Sequence, residues 1–182
     1  MRIYPASHTV VGVRFAPSPN VDERPEGALL SLVVVHNISL PPNEFGGPYI
    51  EQLFTNQLDP GAHPYFEEIK DHKVSAHILV RRDGEVVQFV PFNKRAWHAG
   101  KSEYKGCENC NDFAIGIELE GADETPYEEA QYMVLATLVD SLRLVYPSLS
   151  KEDIVGHSDI APGRKTDPGL AFNWQNLREQ LA

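Results

Sequence analysis

Apolar positions along this chain fall into a few short, dense runs separated by stretches rich in proline, glycine and charge. From Leu29 to Val35 the run LLSLVVV is apolar and β-branched and breaks at His36, the pattern of a strand buried on both faces with His36 at its end. Residues 74–92, VSAHILVRRDGEVVQFVPF, hold two further β-rich runs around Asp83-Gly84, a dipeptide that favours a hairpin because glycine tolerates positive φ. In FAIGIELEG, Phe113, Ile115, Ile117 and Leu119 alternate with Ala114, Gly116, Glu118 and Glu120. A strand here presents apolar side chains on one face and both carboxylates on the other.

Helical spacing appears in three places. Tyr49 to Phe54 is one short stretch. Thr125-Pro126-Tyr127-Glu128 reads as a helix start, with a capping Thr, Pro at the first helical position and Glu three residues after the cap. Behind it Ala130, Met133, Val134, Leu138, Leu142 and Val145 recur at helical intervals until Pro147 ends the run. Near the end of the chain Trp174, Leu177 and Leu181 share a stripe. Residues 1–27, with Pro5, Pro17, Pro19, Pro25 and Gly27, show little periodicity and read as an irregular arm over a core of residues 28–182. The segment 40–73 mixes Pro, Gly and aromatics and is long enough for a lid or binding loop. These elements predict a single α/β domain, a central mixed β-sheet flanked by helices.

Length and charge narrow the picture. A chain of 182 residues supports one good core, and two domains would each be small. The formal charge of −10 gives no general attraction to nucleic acid or anionic membrane surfaces. The longest apolar runs are far below the ~20 residues that span a bilayer, and the start, MRIYPASHTVVGVRF, lacks the apolar segment of a secretory signal. A cytoplasmic protein is expected. Cys107 and Cys110 are too few for a disulfide framework; their C-x-x-C spacing has no second pair to complete a four-thiolate site, and they read as reduced, incidental thiols.

Seven histidines invite a metal reading, yet no H-E-x-x-H pair puts two ligands on one helix face. The candidates are His36 after LLSLVVV, His157 after Ile154-Val155-Gly156, and Asp167 in GHSDIAPGRKTDPG. Two neutral imidazoles and one carboxylate suit Zn²⁺ and leave a fourth position open. Taken singly, His36 reads more readily as a strand-end histidine bonded to a backbone carbonyl and Asp167 as a turn-capping carboxylate, so spacing alone leaves the trio open. Glu118 and Glu120, about 7 Å apart on one strand face, also fit the paired carboxylates of a glycosidase. Glu120 reads alternatively as an acceptor or cation partner, with one or both carboxylates facing a wet cleft. His77 reads as a wall residue of a site, while His8, His63 and His72 default to exposed or structural roles.

Taken in order, VVVHNISLPPNEFGG, HPYF, VSAHILVRRDGEVVQFVPFNKRAWHAG, CNDFAIGIELEG and GHSDIAPGRKTDPG resemble the zinc-dependent N-acetylmuramoyl-L-alanine amidases, over about residues 29–174. They are most similar to the cytoplasmic branch that acts on 1,6-anhydromuropeptides in peptidoglycan recycling. The resemblance implies the fold shared by these amidases and peptidoglycan recognition proteins, one Zn²⁺ per chain held by His36, His157 and Asp167, Glu118 as catalytic acid/base, and Lys165 stabilising transition-state charge. It implies hydrolysis of the amide between the lactyl group of 1,6-anhydro-N-acetylmuramic acid and L-alanine. Residue chemistry agrees: such a reaction needs an activated water, a polarised carbonyl and a proton for the leaving amine.

The resemblance further implies that Trp97, in the Trp97-His98-Ala99-Gly100 loop, and Asn37 contact substrate. The family's peptide-anchoring arginines fall on Lys73 and Asn109, and Arg81, Arg82, Arg95, Lys101 and Arg164 are the possible replacements. The chain is read as a monomer with an anhydromuropeptide as its partner. Two alternatives stand beside this reading: a recognition module that binds muropeptide without cutting it, and an amidase acting on intact wall.

Overall fold

The structure, a computed structural model, describes residues 1–182. Its main sheet has six strands: β1 (Arg14–Phe15), β2 (Leu32–Ile38), β3 (Ile78–Val80), β4 (Val86–Gln88), β5 (Ala114–Glu120) and β6 (Ile154–Gly156), in the spatial order β6-β2-β5-β3-β4-β1. β6, β2, β5 and β3 run parallel, whereas β3 and β4 form the antiparallel hairpin expected at Asp83-Gly84, where Gly84 has φ +87°. Five helices accompany the sheet: α1 (Tyr49–Phe54), α2 (Pro64–Ile69), α3 (Glu129–Val145), α4 (His157–Ile160) and α5 (Trp174–Gln180).

Alternation along the strands divides the core. Val33, Val35, Ile115, Ile117 and Leu119 face α3 and α5 in the largest apolar cluster. On the opposite face Leu32, Val34 and Ala114 meet Ala99, Cys110 and Ile160, while Leu79 and Val87 meet Phe54, Phe66 and Phe89. Burying a side chain such as Phe66, fully enclosed here, contributes about 1.5–3 kcal/mol. His36 and Glu118 are direct partners in the β2–β5 register and lie on this second face, between its two apolar clusters. The carboxyl ends of parallel strands form open crevices between diverging loops, and the site lies there.

Four expectations are corrected by the fold. β2 does not stop at His36; pairing continues through Asn37 with Leu119 and Ile38 with Glu120, so His36 is an interior residue of the strand. α3 starts one turn after Thr125, with Glu128 and Gln131 forming the capping box, because Tyr127 is drawn into the core and its hydroxyl donates to the Pro168 carbonyl. Its buried stripe is Tyr132, Leu135, Ala136, Leu138, Val139 and Leu142, leaving Met133 exposed. The segment 40–73 contains a second helix, α2, begun by Pro64 and capped by His63, whose Nδ1 accepts from the Tyr65 N–H.

The N-terminal arm is also more ordered than its composition predicts. Arg14–Phe15 adds the edge strand β1, Val21–Glu23 pairs with Lys94–Ala96, and Ile3–Tyr4 pairs with Thr9–Val10. Its anchor is Arg24, whose guanidinium donates to the carbonyls of Phe92, Asn111, Asp112 and Ala114.

Candidate metal centre and active-site cleft

The register places Glu118 beside His36, and β6, on the other side of β2, delivers His157 as the first residue of α4. Asp167 reaches the same point from the loop after α4, which is tied back by a bond from the Ser158 N–H to the Asp167 carbonyl. His36 Nδ1, His157 Nδ1 and Asp167 Oδ2 lie 3.0 Å from one another, both histidines are buried, and the three form a cluster able to hold a metal ion. Donors 2.0–2.2 Å from a tetrahedral Zn²⁺ lie about 3.3–3.6 Å apart, so the trio has to open by only a few tenths of an ångström. A carboxylate and two imidazoles aimed at one point in a buried setting fit Zn²⁺.

Tautomers support this orientation. The Ala99 carbonyl, 3.0 Å from His157 Nε2, can only accept, so His157 carries its proton on Nε2 and turns the Nδ1 lone pair toward the cluster. Burial drives His36 down to about 4, keeping the ring neutral at physiological pH. Burial opposes ionisation of Asp167, but its close contacts with the His157 and His36 rings outweigh it and hold the carboxyl well below the usual carboxylate range.

The trio opens onto a cleft of about 410 Å³ that also collects Asn37, Trp97, Glu118 and Lys165. Leu40, Leu53, Phe54, Tyr65 and Ile69 line its opposite wall, so the 40–73 segment packs here as a wall of the cleft. Burial, reinforced by the charge of Asp167 and countered by Lys165, raises the Glu118 carboxyl well above its ordinary value. Glu118 Oε2 is buried without a hydrogen-bond partner. Asn37 donates to Asp123 Oδ1 and the Pro168 carbonyl, which commits its amide to the loop beside Asp167. Trp97 Nε1 donates to Asp22, fixing the indole at the cleft edge.

Other candidates fall elsewhere. Glu120 shares the face of Glu118, is only 2% exposed, and is an acceptor and cation partner, as its alternative reading has it. It accepts from the Gly46 and Arg82 N–H groups and from Arg81 Nη1, bordering a separate cavity of about 770 Å³. A carboxylate so engaged cannot serve as the second member of a glycosidase pair. Glu120→Ala is expected to destabilise the fold by about 2–3 kcal/mol while leaving metal affinity unchanged, checked by denaturant unfolding and metal titration.

His77 is fully buried; its Nδ1 accepts from the Gly116 N–H and its Nε2 donates to the Lys94 carbonyl, so it is outside the ligand trio. Arg81 pairs with Glu120 and Glu85, Arg82 with Glu128, and Arg95 with Asp22 and Asp112. Arg164 donates to the Ala99 and Lys101 carbonyls, while Lys73, Lys101 and Asn109 are exposed. His8 Nδ1 lies 2.6 Å from the Tyr146 hydroxyl, and His72 is exposed at the rim of the cleft. Cys107 is exposed, Cys110 buried, and both are free thiols.

Comparison with known proteins is decisive at this point: the N-acetylmuramoyl-L-alanine amidase family model, Amidase_2, matches residues 26–170. The chain belongs to this family. The amidase is 59% identical over 169 residues, 93% of this chain and 92% of the relative, to 1,6-anhydro-N-acetylmuramyl-L-alanine amidase AmpD of Escherichia coli (strain K12). Its fold matches the crystal structure of a Se-Met AmpD derivative with TM-score 0.96 and 53% identity, covering 100% of both chains. It also matches AmiD from E. coli, solved in complex with the substrate anhydro-N-acetylmuramic acid-L-Ala-D-gamma-Glu-L-Lys, at TM-score 0.61 and 30% identity, over 87% of this chain and 60% of that one. The expected central mixed sheet with flanking helices is therefore that of the family. No helix of the amidase is long and apolar enough to cross a membrane.

Sequence reading passed over two residues of this region. Arg24 sits in a stretch without periodicity, and nothing local marks it as an anchor of the arm. His98 lies beside Trp97; its ring packs where Gly116 has no side chain, and a Cβ there would stand 2.4 Å from it.

Proposed function

We propose that this chain hydrolyses the amide joining the lactyl group of 1,6-anhydro-N-acetylmuramic acid to the L-alanine of the stem peptide, with one Zn²⁺ held by His36, His157 and Asp167. The observation that carries the reading is the convergence of those three donors beside a buried carboxyl of raised pKa. The similarity to enzymes bearing that activity in their names supports the choice of substrate. Turnover of wall fragments in the cytoplasm is the setting that this reading assigns.

Zn²⁺ in such a site polarises a carbonyl and acidifies a water molecule. Glu118, with its raised pKa and unpartnered Oε2, accepts the proton of the attacking water and delivers it to the departing L-alanine nitrogen. Lys165, whose ammonium is free to turn toward the cleft from the Asp167 loop, stabilises negative charge growing on the carbonyl oxygen. Trp97, braced by Asp22, offers an aromatic surface to the sugar. Asn37 holds the Asp123 and Pro168 segments in place and contributes to the cleft wall.

The direct test is incubation of zinc-loaded protein with an anhydromuropeptide, with mass-spectrometric detection of anhydro sugar and a peptide beginning at L-alanine. Binding without turnover would favour a recognition module instead, and faster cleavage of insoluble wall would favour a wall amidase. Activity is expected to vanish on chelation and return with added Zn²⁺. Lys165→Ala is expected to lower kcat about a hundredfold with metal content unchanged; an unchanged kcat would remove Lys165 from the reaction.

A further inference from the structure

We infer that His98 is a positioning residue that accepts from His36 Nε2 and thereby supports the tautomer in which His36 Nδ1 is available to a metal. The inference rests on the metal reading above. His36 is only 1% exposed and makes two ring contacts of consequence: Nδ1 faces Asp167 Oδ2 and His157 Nδ1, and Nε2 lies 3.0 Å from His98 Nδ1. A neutral imidazole has one proton. If it is on His36 Nδ1, it points at Asp167 and occupies the ligand position. If it is on Nε2, it needs an acceptor, and His98 Nδ1 supplies one.

The two rings are consequently coupled. When His36 donates from Nε2, His98 must hold its own proton on Nε2, a buried nitrogen with no partner; when His98 donates from Nδ1, His36 must hold its proton on Nδ1. Ligation selects the first arrangement. Both rings stay neutral and each keeps one proton, so the change relocates protons without releasing any.

The surrounding chain is built to hold this contact. His98 Nδ1 can face His36 only because residue 116 is glycine, since a Cβ would meet the His98 ring at 2.4 Å. Asn111 Oδ1 accepts from the N–H groups of both His98 and Ala99, at 3.1 and 2.8 Å. One amide therefore fixes two consecutive residues with parallel duties: the His98 side chain backs His36, and the Ala99 carbonyl backs His157. The two ligands differ in one respect. A carbonyl locks His157 permanently, whereas His36 depends on a ring that can present either a donor or an acceptor.

The test measures Zn²⁺ affinity of the full chain by competition with a chromophoric chelator. His98→Leu, which removes the acceptor, is expected to weaken binding 10–100-fold. His98→Asn, whose Oδ1 occupies the place of Nδ1, is expected to bind within about threefold of wild type, the usual spread of such context effects. Nitrogen-15 NMR of the unmodified protein provides a readout that needs no variant: loaded with Zn²⁺, His36 should be protonated at Nε2. Equal affinity of wild type and a folded His98→Leu would overturn the role of His98 alone, whereas a His36 protonated at Nδ1 in the loaded protein would remove Nδ1 from the ligand set and overturn the metal reading as well. A wild type that fails to bind Zn²⁺ would overturn the metal reading and this inference together.

Discussion

Asp167→Ala is expected to strip the protein of its metal and to slow muropeptide cleavage by at least about a thousandfold. Asp167 supplies the one formally charged donor of the trio, and its Oδ2 is equidistant from the two imidazole nitrogens at 3.0 Å. Without it, two neutral rings face each other and nothing compensates a divalent charge in a buried setting. The backbone of the loop stays anchored by the Ser158–Asp167 hydrogen bond, so loss of activity should not reflect unfolding. Metal analysis alongside turnover checks this; a variant retaining one tightly bound metal per chain would exclude Asp167 from the ligand set.

Glu118→Gln separates chemistry from binding at the same place: metal content should persist while kcat falls about 10²–10⁴-fold. It also carries a pH signature in the metal-free protein. Burial raises the Glu118 carboxyl on folding, so the folded state holds that proton more tightly than the unfolded chain. The folded state is relatively favoured in acid, and the advantage is lost as pH rises from the ordinary value of 4.5 through the raised one. Glu118→Gln should therefore match wild type in stability near pH 4, within about the usual carboxylate spread, and exceed it at neutral pH. Melting temperatures across that range decide the matter, and a constant difference would refute it.

The second large effect is on folding. Arg24→Leu is expected to lower stability by about 3 kcal/mol or more, a drop of roughly 6–12 °C in Tm for a chain of this size. The Arg24 guanidinium bridges carbonyls of Phe92, Asn111, Asp112 and Ala114, from two separate stretches of backbone. Burial lowers its pKa to about 10, which still leaves it charged at neutral pH. Removing it leaves four carbonyls with one donor fewer and detaches the arm from the 109–114 segment. Arg24→Lys should recover less than half the loss, because an ammonium lacks the planar fork that spans these acceptors. Since Asn111 holds His98 and Ala99, the leucine variant should also bind Zn²⁺ more weakly. Calorimetric melts with a parallel metal titration measure both, and a wild-type melt would show that water replaces the guanidinium.

Local chemistry made much of this molecule readable before any coordinates. The Asp83-Gly84 hairpin follows from a backbone angle that glycine tolerates, and α1 appears over Tyr49–Phe54 as its spacing predicts. The period of two along Ala114–Glu120 placed Glu118 and Glu120 on one face, and ordered motifs pointed to the residues that meet in the cleft. Misjudgements arose where a distant contact overrode a local preference. Thr125 ends a turn from Ala122 and does not begin a helix, because Tyr127 is bonded to Pro168, 41 residues away.

By itself, then, the sequence determined the elements with strong short-range signals, the family, and the identities of the candidate ligands. Tertiary structure alone decided that Glu118 and Glu120 open into different cavities, that an arginine of the arm is half-buried among four carbonyls, and that His98 stands behind His36. Those outcomes depend on which strand lies beside which and on contacts spanning 62 to 90 residues. Periodicity and propensity describe a residue's immediate neighbours along the chain; burial and tautomer depend on groups that only the assembled sheet brings together.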